Sequence, residues 1–276
     1  MNARRLRALL VLPLVFAAPG AVACINTYSF ELKVALFSGR TERVKELTAQ
    51  IEAEYRLSPD METTNDLAVV RIIDGRYSEA IELLRKLDKS HPDLGMTAAN
   101  LGTALELSGN DVEALQWIRE GYRRDPREHV GSEWVHVRIL EAKIALAKDP
   151  KWLDTHSVLG VQFDSEDLPR TPDPLPVDHT GRTRTISEAF AATGYQLFER
   201  VLFVKPPDAV VADLARTAGD LGLLLRQTEG VKKGNGADRL YETALKYGAG
   251  DQPLIKRRIK AFEALSAVAP APVTTP

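Results

Sequence analysis

NLGTALELSGNDVEALQWIREGYRRDP, residues 100–126, is two short helices and a turn written in sequence. Leu101, Ala104 and Leu105 recur at helical spacing, and Gly109-Asn110 interrupts the pattern. Ala114, Leu115 and Ile118 resume it, and Pro126 closes it. The unit also recurs. In NDLAVVRIIDGRYSEAIELLRKLDKSHP, residues 65–92, Leu67-Ala68, Gly75, Ala80 and Pro92 match Leu101-Gly102, Gly109, Ala114 and Pro126, each 34 positions on.

The residue types explain the spacing. Ala68, Gly102, Ala80 and Ala114 let paired helices approach closely, where a larger side chain would wedge them apart. Gly75 and Gly109 end the first helix of each pair in a left-handed conformation that costs little without a Cβ. Pro92 and Pro126 stop the second helix. These residues resemble the tetratricopeptide repeat family, whose pattern includes Leu-Gly in the first helix, Ala…aromatic…Ala in the second and a closing Pro. That resemblance implies an all-α fold, an α-solenoid of about four helical hairpins plus a capping helix.

Extending the register divides the chain. Residues 1–23 read as a signal peptide, and 24–60 as an N-terminal segment and helix, with INTYSFELKVALFSG open to either strand or helix. Residues 61–147 hold units 1 and 2 and the first helix of unit 3. Its second helix is absent from the expected place, and ISEAFAATGYQLFERVLFVKPP supplies one later, so 148–186 is an insertion in the third unit. Residues 187–267 carry the remaining repeat-like helices and the cap, and 268–276 a disordered tail.

The leader pattern is MNARRLRALLVLPLVFAAPGAVAC: three arginines, an apolar run from Ala8 to Ala18, and an A-x-A cleavage site. It predicts export to the bacterial periplasm. Cys24, the only cysteine, follows directly. Because GAVAC resembles a lipobox, Cys24 is a candidate lipid anchor to the membrane; ordinary cleavage after Ala23, giving a soluble periplasmic or secreted protein, stands beside it. Cleavage removes three of 36 basic side chains and none of 38 acidic ones, taking the net charge from −2 to −5. With no basic stripe, nucleic acid is not an expected partner.

No motif for chemistry emerges, and no cofactor or metal is expected. Asp154, His156 and Ser157 have the residue types of a hydrolytic triad but are too close in sequence to converge from different elements. Asp164, Glu166 and Asp167 lack the ligand spacing and glycine of a calcium loop. The five histidines form no ligand-spaced cluster. The family resemblance implies instead a concave groove lined by first helices: Asn65, Val69 and Ile72; Met96, Ala99, Thr103 and Glu106; Glu133, Val137 and Leu140. Its mixed apolar and acidic character suits an apolar or basic peptide. Uncharged Val69 and Met96 argue against a carboxylate clamp. Three roles stand open: a non-catalytic adaptor for a protein or peptide partner in the envelope, a site completed by the insertion, or a structural protein with a plugged groove.

Overall fold

A computed structural model describes residues 27–229 and 236–267; the leader, Cys24 and the tail lie outside them. Among the described residues the chain is all-α and builds an α-solenoid from twelve helices. The first three layers are hairpins: α1 (Thr27–Phe37) with α2 (Thr41–Leu57), α3 (Met61–Ile73) with α4 (Tyr77–Ser90), and α5 (Gly95–Leu107) with α6 (Asp111–Arg124). The segment open to strand or helix is thus the helix α1. Helices α3 and α5 begin at 61 and 95, and α4 and α6 at 77 and 111, so both pairs keep the offset of 34.

The local signals act as their chemistry requires. Asp60 and Thr63 form a reciprocal capping box at α3, and the Asn110 side chain accepts from the Glu113 N–H at the start of α6. Gly75 and Gly109 take φ of +73° and +89°. At Gly102 a Cβ would lie 2.5 Å from Ile118 Cδ1, which shows why this face of α5 tolerates no side chain.

The third layer departs from the repeat. A first helix in register would begin at 129, but His129 and Val130 adopt positive φ inside the short turn α7 (Glu128–Gly131), and α8 (Glu133–Lys148) starts four residues late. Residues 149–185 follow with one 3-10 turn, Trp152–Asp154, and a single antiparallel bridge between Val177 and Thr183. Then come α9 (Ile186–Phe203), the hairpin α10 (Ala209–Glu229) and α11 (Ala237–Tyr247), and α12 (Gln252–Ala267), which packs on α10 and α11.

The insertion packs back on the solenoid without filling its groove. Val158, Leu159 and Val161 join Trp134 and Ile139 of α8 and Val211 and Leu214 of α10 in one core. Arg184 donates to Asp178 at 2.6 Å, lies 5.4 Å over the Trp134 ring and reaches the Tyr122 hydroxyl of α6 at 2.8 Å. At the far end, buried Arg258 of α12 donates to Asp220 of α10 at 2.5 Å and to the Glu166 carbonyl at 3.0 Å; Tyr241 also donates to Asp220, at 2.6 Å. Burial raises the Asp220 pKa, against the pull of Arg258 and Tyr241.

Candidate functional site: a concave groove filled by its own helix

The residues that line the groove fall into two sets. Val69, Ile72, Asn100, Thr103, Glu106 and His136 border one cavity of about 50 Å³. Its opposite wall is not solvent but Gln196, Glu199, Arg200 and Phe203 of α9, with Lys33 of α1 at the side. The groove is occupied by α9.

Sequence periodicity explains how. Ala189, Thr193, Gln196, Arg200 and Phe203 recur every three or four residues and form one stripe of α9. Gln196 donates to Ser132 Oγ at 3.0 Å. Arg200 grips Glu106 of α5 with both terminal nitrogens, at 2.6 and 3.0 Å. Phe203 packs against the cluster of Ile72, Leu101 and Leu105. On the flank, Lys33 pairs with Glu199 at 3.0 Å and the Phe37 ring meets Phe198 at 4.9 Å.

Glu106 is the hub. Besides Arg200 it accepts from His136 Nε2 at 2.7 Å and Lys143 Nζ at 3.0 Å, and Lys143 also meets Asp111 at 2.6 Å. Burial opposes its ionisation, but Arg200, His136 and Lys143 hold its pKa well below the usual carboxylate range. His136 Nδ1 stands 3.4 Å from fully buried Glu133, whose other oxygen bonds His129 Nδ1. Burial likewise opposes the charge of Glu133, yet His129 and His136 keep its pKa low. Three buried atoms here lack a hydrogen-bond partner: Glu133 Oε2, Arg200 Nε and Asp111 Oδ1, the last met only by the Lys143 ion pair.

The remaining groove candidates lie in helix seams. Ala99 faces α6, where a Cβ on Gly121 would lie 3.1 Å from its N atom. Val137 and Leu140 are fully buried between α8 and the α5–α6 hairpin. This corrects the expectation that these three face an open groove. The late start of α8 shifts its register, so Glu133 and His136 take the inner positions. Asn65 is buried and donates to Thr97 at 3.1 Å, Asn100 reaches it at 3.5 Å, and Met96 is half-buried. His136, Arg200, Gln196 and Lys143 were not among the candidates. The legible signal for Arg200 was a cation on the same helical stripe as Ala189, Thr193 and Gln196.

The insertion's polar residues do not converge. Ser157 is buried and donates to the Val161 carbonyl at 2.5 Å, whereas Asp154 and His156 are exposed and His156 stacks on Trp152 at 4.6 Å. Asp167 pairs with Arg257 at 2.7 Å, and Asp164 with Arg170 at 3.4 Å. Among the described residues no three His, Cys, Asp or Glu side chains form a metal-ligand group, and no helix is long and apolar enough to cross a membrane.

Fold and site together define an all-α solenoid of helical hairpins with a self-filled concave face. No family model and no curated protein matches the sequence. Among solved structures, a thermophilic TPR protein of Thermus thermophilus is similar at a TM-score of 0.38 and 15% identity, over 86% of this chain and 97% of that one.

Proposed function

We propose that this chain is a non-catalytic protein-interaction scaffold exported to the bacterial envelope, and that its partner docks outside the filled groove. The leader pattern and Cys24 support the location. The observation that carries the docking reading is an open cleft of about 440 Å³ between α1, α9 and α11, of mixed character, lined by Leu36, Phe37, Val201, Leu202 and Tyr247 together with Thr243 and Lys246. Phe37 is 53% exposed, a large apolar surface for a side chain beside a cleft. Lys246 has no ion pair among the described residues and lies 5.9 Å from the Tyr247 ring. A partner that fits presents apolar side chains next to a carboxylate.

The test is capture from envelope extract with wild type and Phe37→Glu/Lys246→Glu, plus a photo-crosslinker at Leu202. A partner kept by wild type, linked at 202 and lost from the folded variant supports the reading. Retention by the variant moves the site, and no saturable partner for wild type refutes the scaffold role. The mass of the exported protein, with or without acyl chains on Cys24, decides between lipoprotein and soluble form.

A further inference from the structure

The charges beneath α9 form a continuous buried chain: His129 to Glu133, Glu133 to His136, His136 to Glu106, and Glu106 to Arg200. It links α7, α8, α5 and α9, the elements that meet at the groove. We propose that this chain is a proton-operated latch holding α9 in the concave groove, closed while His136 carries protons on both ring nitrogens and loosened when one leaves.

The geometry carries the idea. His136 lies between two buried carboxylates, with Nε2 2.7 Å from Glu106 and Nδ1 3.4 Å from Glu133. An imidazolium presents an N–H to each side, a hydrogen bond to Glu106 and a longer ion-pair contact to Glu133 Oε2; a neutral ring keeps one N–H and turns a lone pair toward the other carboxylate. The two carboxylates favour the charged form. From α8, Lys143 opposes it at a distance by holding the far oxygen of Glu106. From α9 come cationic Arg200 and acidic Glu199, the latter neutralised by Lys33 of α1. Tyr195, stacked on His129 at 5.8 Å, has its pKa raised by burial and stays neutral. Glu128 of α7 is pushed up by burial. The cavity of about 50 Å³ reaches His129 and His136 and has room for a few waters, giving the proton a route to solvent.

The direction follows from linkage. Burial disfavours the charge on His136, but Glu106 and Glu133 raise its pKa above the ordinary histidine value of about 6.5. A raised histidine contributes stability that is complete below its unfolded pKa and lost as pH rises through the folded one. Glu106 and Glu133, both depressed, release the latch at the acid end only well below the ordinary carboxylate range. The latch therefore loosens as pH rises through the folded His136 pKa, above the ordinary histidine value. Val201 and Leu202 of α9 also line the partner cleft, but the latch is read in the purified chain without a partner, so the two proposals fail separately.

Amide hydrogen exchange of the purified chain from pH 6 to 9, corrected for intrinsic rates, tests it. In wild type, protection of α9 relative to α10 should fall about tenfold for each unit by which the folded pKa of His136 exceeds the unfolded one. In His136→Gln, which keeps a donor toward Glu106 but cannot titrate, the ratio should stay flat. A constant ratio in wild type, or the same fall in both proteins, overturns the latch. If the variant does not fold, NMR titration of wild type decides: the His136 ring and the α9 amides must share one midpoint, and separate midpoints overturn it.

Discussion

Arg200→Met is the sharpest test of what holds α9 in the groove. The guanidinium is buried and makes two charge-assisted bonds to Glu106, at 2.6 and 3.0 Å. Breaking a buried pair by removing one partner costs about 3–5 kcal/mol, because the other charge is left without compensation. Glu106 keeps His136 and Lys143, so the lower end, about 3 kcal/mol, is expected. At roughly 2–4 °C per kcal/mol for a domain of this size, Tm should fall by about 6–12 °C. Replacing both partners by apolar groups is often nearly neutral. Here Glu106→Leu also takes the shared carboxylate from His136 and Lys143, so Arg200→Met/Glu106→Leu should cost less than the sum of the single effects without returning to wild type, with a coupling energy of about 2 kcal/mol in the double-mutant cycle. Urea denaturation of the four proteins measures this. Additive single effects below about 1 kcal/mol each would refute a groove held by this pair.

Other outcomes follow from the same contacts. Gly102→Leu should destabilise the α5–α6 hairpin by about 1–3 kcal/mol through overpacking against Ile118, and Ile118→Ala should relieve part of it in the double variant, read by thermal unfolding. Asp178 has a pKa of about 2: burial raises it, but Thr180 and Arg184 outweigh burial. Its contribution is present above the unfolded carboxylate pKa and lost as pH falls from about 4 through about 2. Asp178→Asn should flatten the acid limb of the Tm-against-pH curve in that window, and an unchanged limb would contradict the assignment. Tyr241→Phe removes a 2.6 Å bond to buried Asp220 and should cost about 1–2 kcal/mol by urea denaturation.

The repeat could be read from the sequence because its determinants are local. Gly75, Gly109, Ala80 and Ala114 set the turns and close approaches of two successive hairpins, and each acts within its own 34 residues. The third layer resisted the same reading because its determinants are long-range. Nothing near His129 announces that the turn before α8 takes positive φ, yet that turn delays the helix and changes which of its residues face inward. Val137 and Leu140 fit the groove register on paper and fall in the core for this reason. Glu106 was visible as a groove residue, but Arg200 lies 94 residues away, and only packing brings the two together. The insertion's apolar residues Val158, Leu159 and Val161 rest on α8 and α10, a long-range surface that no local pattern in the insertion names.

The central claim is that α9 lies in the concave groove beside α1, and zero-length carbodiimide coupling tests it on the unmodified protein. Lys33 Nζ and Glu199 Oε2 are 3.0 Å apart across 166 residues of sequence, and Lys143 with Asp111 at 2.6 Å provides an internal control from the α6–α8 contact. Recovery of both amide-linked peptide pairs by mass spectrometry is the predicted result. The Lys143–Asp111 link without any Lys33–Glu199 link would contradict the filled groove.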